Sequence, residues 1–267
     1  MMWFAASAFV VLLWGGSTAV IFYLDSLPTR TFPISMAAAT SVLLLSGLAI
    51  WQLRGDASLS ALFGSFAAGL LAWGWTEMAL YMGYVTGPRK QRCAEDCHGV
   101  AHFGHAVSAN LWHELIVIAF AVLIWLSGNT AATHCFIMLW LMHLSARLNV
   151  FLGVRNVSAE FVPEHMDILK GFLRKRRMNV LFPFSCLVLV ALIWWLVQMP
   201  QSPAVVMAIT LAVIGLLEHV LLMLPLPVER LWTWSLSRDA TPQSPDHSNR
   251  TKDNPGKANL RVLGVQP

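Results

Sequence analysis

Seven apolar runs, each about twenty residues long and parted by short polar breaks, govern what this chain can become. They lie at roughly 2 to 24, 33 to 53, 60 to 85, 105 to 127, 130 to 152, 179 to 199 and 203 to 226. A hydrocarbon core of roughly 30 Å takes about 20 apolar residues at 1.5 Å rise each, so every run is a candidate span. The expectation is all-α: a polytopic membrane helical bundle with about seven transmembrane helices, forming a single domain over residues 1 to 237. The first run lacks a basic leader, outlasts the apolar core of a signal peptide and ends at Asp25 and Leu27-Pro28, so it reads as a retained helix.

Composition agrees with a lipid environment. Hydrophobic residues are 57% of the 267 positions and charged ones 12%, against about 25% charged in an average soluble domain. The net charge of +4 and pI near 9.1 do not point to nucleic acid, because the basic residues sit in short loops and a tail. Four cysteines, Cys93, Cys97, Cys135 and Cys186, are too few and too dispersed for a disulfide framework.

The positive-inside rule tests the span count, since a missed span would scramble the sidedness of Lys and Arg. Sixteen of the 18 basic residues fall on one side of the seven-span reading, with Arg54 opposite and Arg147 inside the fifth span. That side is expected to be cytoplasmic, which puts the N-terminus in the periplasm and the C-terminus in the cytoplasm. Breaks at 54 to 59, 128 to 129 and 200 to 202 are short enough to make the helices they join antiparallel neighbours. Residues 238 to 267, rich in Ser, Pro, Asp, Asn and Lys, carry too little apolar surface to offset ordering entropy and read as a disordered cytoplasmic tail.

Ionisable side chains in a span cost about 2.5 to 3.5 kcal/mol each on insertion scales, so each needs a partner or a purpose. Here they are Glu77, His113, Glu114, His143, Arg147, Glu218 and His219. Glu77, His113, His143 and Glu218 each stand roughly eight residues, about 12 Å, from the expected cytoplasmic end of a span. A common depth is what a shared buried site requires. Trp73, Glu77, Tyr81 and Tyr84 fall on one face of span three, His143 and Arg147 on one face of span five, and His98, His102, His105 and His113 on one side of the approach to span four.

Four readings fit these residues. One is structural glue, with Arg147 neutralising Glu114 or Glu218. A second is a transition-metal site of imidazoles and carboxylates, although the paired Glu-x-x-His motifs of di-iron bundles are missing. A third is a pigment or tetrapyrrole site with an axial His and a Trp and Tyr wall, and the last is a proton or ion pathway.

Two loops on the expected cytoplasmic side carry further signals. Cys93-Ala-Glu-Asp-Cys97-His98 spaces its cysteines one residue too far apart for c-type haem attachment; with His102 and His105 it is either a metal-binding loop or a solvated one. Residues 158 to 177 set Phe161, Ile168, Leu169, Phe172 and Leu173 against Arg174, Lys175, Arg176 and Arg177, the pattern of an interfacial helix ending in a basic cluster. Such a cluster serves as a topological anchor or as an interaction surface for a membrane partner.

Three stretches, Leu148 to Pro183, Ala72 to Lys90 and Leu111 to Ala119, resemble the PuhE family of photosynthetic complex assembly proteins of anoxygenic phototrophic bacteria. The likeness runs to about residue 230. It implies a multi-pass protein of the bacterial inner membrane whose partners, beyond the bilayer, are reaction-centre or light-harvesting subunits. It also implies bacteriochlorophyll as a cofactor it would handle. The family lends no catalytic residues. The competing class is a membrane metalloenzyme acting on a tetrapyrrole or lipid, with His113, Glu114, His143, Glu218 and His219 as ligands and Glu77 as base.

Overall fold

The computed structural model describes residues 2–91, 97, 99–156, 171–173 and 175–224. Among them the helices are α1 (Met2–Asp25), α2 (Phe32–Gln52), α3 (Leu59–Tyr81), α4 (Gly99–Leu126), α5 (Thr130–Leu152), α6 (Leu181–Val197) and α7 (Pro203–Met223), with a short 3-10 turn at Thr29–Thr31. Six of the seven α-helices are long and apolar enough to cross a membrane. The seventh, α6, has 17 residues, about 25 Å at the helical rise, at the short end of what spans a bilayer. The protein is a multi-pass helical bundle.

Local signals explain where the helices begin. Ser58, Asn129 and Ser202 each accept a hydrogen bond from a backbone N–H three residues on, at 3.2, 3.1 and 3.3 Å, which caps α3, α5 and α7. Prolines occupy the first turns of α2 and α7, where no N–H is required. Asn129 also donates to the Ile50 carbonyl (3.0 Å) and to Ser65 Oγ (2.8 Å), so one capping residue ties together the ends of α2, α3 and α5.

The helices assemble around α3 and α5. α3 packs on α1, α2, α4 and α5, while α5 packs on α3, α4, α6 and α7; α1 and α7 close against each other. Phe66, Leu70, Trp73, Val117, Phe136, Leu139, Met207 and Leu211 form the buried core between them. Gly69 sets the α3–α5 separation, since a Cβ there would lie 2.7 Å from the Ala132 carbonyl oxygen. The outer faces carry Leu44, Leu45, Leu48, Leu123, Trp125, Leu187 and Trp194 in the open. A soluble monomer rarely shows so much contiguous apolar surface.

Three local expectations are revised. α3 ends at Tyr81 and the chain reverses at Gly83 (φ +76°), with the Val85 N–H donating to the Ala79 carbonyl (2.9 Å), so Tyr84 leaves the face it would share with Glu77. α4 starts at Gly99, a turn and a half before the apolar run. At the basic end of the expected interfacial helix, Lys175 forms an isolated bridge with Val154 and the Arg176 N–H donates to the Val154 carbonyl (3.0 Å), which makes that stretch extended rather than helical. Residues 157–170, Arg174 and the expected tail lie outside the described residues, as do Cys93 and His98.

Candidate functional site

Five of the seven intramembrane ionisable residues meet where α3, α4 and α5 adjoin. Glu77 lies on the α3 face that packs inward, one turn beyond Trp73, and is 8% exposed. His113 of α4 faces it with Nε2 3.6 Å from Glu77 Oε1 and is 1% exposed. His143 of α5 approaches from the other side, Nε2 3.3 Å from Glu77 Oε2, with its ring edge-on to Trp73 at 5.5 Å. His113 turns its second nitrogen toward its chain neighbour Glu114, Nδ1 to Oε1 at 3.7 Å. Glu114 in turn accepts from the Arg147 guanidinium on Oε1 and from Trp140 Nε1 (3.3 Å) on Oε2. The cluster is therefore a chain of contacts running His143, Glu77, His113, Glu114, Arg147.

Helical geometry accounts for the arrangement. His143 and Arg147 are one turn apart on α5 and share a face, so one reaches Glu77 and the other Glu114. Trp140, a further turn back, completes the Glu114 shell; nothing but its i−3 spacing to His143 marked it in the sequence. Exposure grades along the cluster. His113 and Glu77 are enclosed, whereas the side chains of His143, Glu114 and Arg147 are 24–27% exposed.

A loop fastens this region. The Thr86 carbonyl accepts from the His113 backbone N–H (3.0 Å), and Gly87 lies so close to the backbone of Ser108 and Ala109 that no side chain fits between them. Beside this contact Tyr84, Thr86, Lys90, Trp112 and Ile116 line an open recess of about 400 Å³. The Lys90 ammonium donates to Thr86 Oγ1 there.

Glu218 does not join the cluster in the way its depth suggests, and neither does its neighbour His219. His219 points into a separate network between α5, α6 and α7. Its Nδ1 lies 2.8 Å from the Gly215 carbonyl and its Nε2 2.9 Å from Ser145 Oγ. Ser145 Oγ donates to Ser185 Oγ (3.0 Å), Asn149 Nδ2 donates to Ser185 (3.0 Å), and Asn179 Nδ2 donates to the Asn149 and Gly153 carbonyls. Glu218, its neighbour on α7, makes no hydrogen bond or ion pair among the described residues, and it lies within electrostatic reach of Glu77.

The approach to α4 also divides. His102 is buried and stacks on Phe151 (5.3 Å), with Phe172 tilted against it (5.3 Å), while His105 Nδ1 lies 3.3 Å from Cys97 Sγ. Among the described residues no three His, Cys, Asp or Glu side chains gather closely enough to hold a metal ion. Lys175, Arg176 and Arg177 of the expected interaction surface are exposed.

The match to known proteins runs nearly end to end. A family model described as a protein of unknown function (DUF3623) covers residues 1–243. An "uncharacterized 30.4 kDa protein in puhA 5'region" of Rhodobacter capsulatus is 30% identical over 248 residues, 88% of this chain and 90% of that protein. No solved structure matches the chain.

Proposed function

The chain belongs to the DUF3623 family, and from that premise we propose that it is an assembly factor for the photosynthetic reaction centre and its light-harvesting antenna in the bacterial inner membrane. The observation that carries this reading is the relative named for its position in the puhA region, matched over nearly the whole length of both proteins. The fold is compatible with such work. An integral bundle with broad apolar flanks can meet membrane subunits laterally, and the partly exposed His143, Glu114 and Arg147 give one flank a polar mark inside the membrane. On the expected cytoplasmic side, Lys175, Arg176 and Arg177 offer a basic surface for a second contact. Bacteriochlorophyll handling at His143 is the finer form of the reading: an imidazole partly open to the membrane beside an aromatic wall is the arrangement an axial ligand needs.

A deletion of the gene in a phototrophic host tests the proposal. Membranes of the deletion strain should lose most of their reaction-centre and antenna absorbance while free bacteriochlorophyll persists, and the wild-type gene should restore both. Complexes at parental levels in the deletion strain would refute it. The pigment reading has its own arm: protein purified in mild detergent from the same host carries bacteriochlorophyll that His143→Ala loses.

A further inference from the structure

Three imidazoles in this bundle differ in what their ring nitrogens face. A singly protonated imidazole offers one N–H donor and one lone pair. His219 has a carbonyl opposite Nδ1 and a hydroxyl opposite Nε2, so neither of its nitrogens faces an anion. His143 needs a proton only on Nε2, toward Glu77. His113 differs. Both its nitrogens face carboxylate oxygens, at 3.6 and 3.7 Å, and neither nitrogen has another partner; Glu77 Oε1 is likewise buried without one. With one proton on the ring and both carboxylates ionised, either tautomer sets a lone pair against a carboxylate in a nearly dry enclosure.

Charge counting reaches the same deficit independently. Glu77 and Glu114 bring two negative charges and Arg147 one positive; Glu218 of α7 adds a further carboxyl within reach of Glu77. Tyr81 on α3 and His143 on α5 are the remaining titratable groups facing Glu77, and Arg147 also faces His113. An uncompensated charge in a hydrocarbon-surrounded cluster is costly. One added proton repairs the geometry and balances the charges of Glu77, Glu114 and Arg147.

We propose that the Glu77–His113–Glu114 bridge is a proton-binding site: it holds one exchangeable proton that makes His113 a double donor between the two carboxylates. Binding forms one N–H bond on the free imidazole nitrogen and breaks none in the protein. The site lies on the seam where α4 rests on α3 and α5, and the same residue's backbone N–H is bound by the Thr86 carbonyl. Occupancy of the site therefore bears on how α4 and the 82–90 loop are held. This inference stands apart from the assembly reading and survives its failure.

The experiment uses the full chain in lipid nanodiscs, labelled with ¹⁵N on histidine rings and ¹³C on glutamate carboxyls. Ring nitrogens recoupled to carboxyl carbons pick out the bridging histidine without any substitution, since one imidazole couples through both nitrogens. At neutral pH both of its nitrogens should show the protonated shift, and in Glu77→Gln, where one carboxylate is gone, one nitrogen should revert to the unprotonated shift. A protonated Glu77 or Glu114 carboxyl band in the infrared, with the ring singly protonated, puts the proton on a carboxylate and overturns the double-donor assignment. A singly protonated ring between two ionised carboxylates overturns it. If Glu77→Gln does not fold, the wild-type spectra alone decide between these outcomes.

Discussion

Removing the Arg147 guanidinium strands Glu114 in the membrane with only Trp140 and His113 for company. Leaving one member of an ion pair uncompensated is expected to cost about 3 kcal/mol at this partly enclosed position, so Arg147→Ala should lower stability in detergent unfolding by about that much. Arg147→Ala combined with Glu114→Gln should recover most of the loss, and a double-mutant cycle that shows simple additivity would mean that the pair is uncoupled. Ser145→Ala makes a milder case. It removes the hydroxyl facing His219 Nε2 and should cost about 1 kcal/mol. At this scale the sequence was only partly readable. That His143 and Arg147 share a face followed from their spacing, and the structure puts both on the cluster. Ser145 and Asn149 have the same i, i+4 spacing, but it does not name their partners Ser185 and His219 on other helices. Depth along a helix is written in the count of residues, but the direction around it is not: Glu218 and His219 are adjacent, and one turn of about 100 degrees per residue sends them to different neighbours.

Helix ends were legible within a few residues where a cap or a proline punctuates them, as at Ser58, Asn129 and Ser202, and less so where polar residues continue a helix, as they do through Gly99 to His105 of α4. What remained hidden were the approaches between helices, because these depend on which small residue faces which backbone. The glycines make that testable. Gly69→Ala drives a methyl into the Ala132 backbone, which has no rotamer to yield, and should destabilise by roughly 1 to 3 kcal/mol, whereas Gly215→Ala meets the flexible Met142 side chain and should cost less. Asn129→Ala loses a helix cap and two buried hydrogen bonds at once. It should cost about 2 kcal/mol or more, above the roughly 1 kcal/mol of a lone cap, with chemical or thermal unfolding as the check.

For the whole molecule, the asymmetry of Lys and Arg predicts the direction in which the bundle lies. A cysteine placed at Asp56, in the connection between α2 and α3, should react with an impermeant maleimide on intact cells after outer-membrane permeabilisation, while one at Lys90 should react only in inverted vesicles; the reverse pattern would turn the topology over. The bundle itself was readable from the apolar runs because lipid imposes a single rule on every span: each backbone polar group must be satisfied within its own helix. One span nevertheless departs from the others in length. α6 covers about 25 Å against a hydrocarbon thickness of roughly 30 Å, and its outward residues, Phe184, Leu187, Val188, Val190 and Trp194, are exposed. Acyl chains along that flank must compress or splay to cover it, at a fraction of a kcal/mol per Å of mismatch. A rim of thinned bilayer is the expected consequence on that side. Any neighbour with an equally short span relieves that deformation by settling there, so membrane elasticity alone gives this flank a preference among partners before any side chains touch.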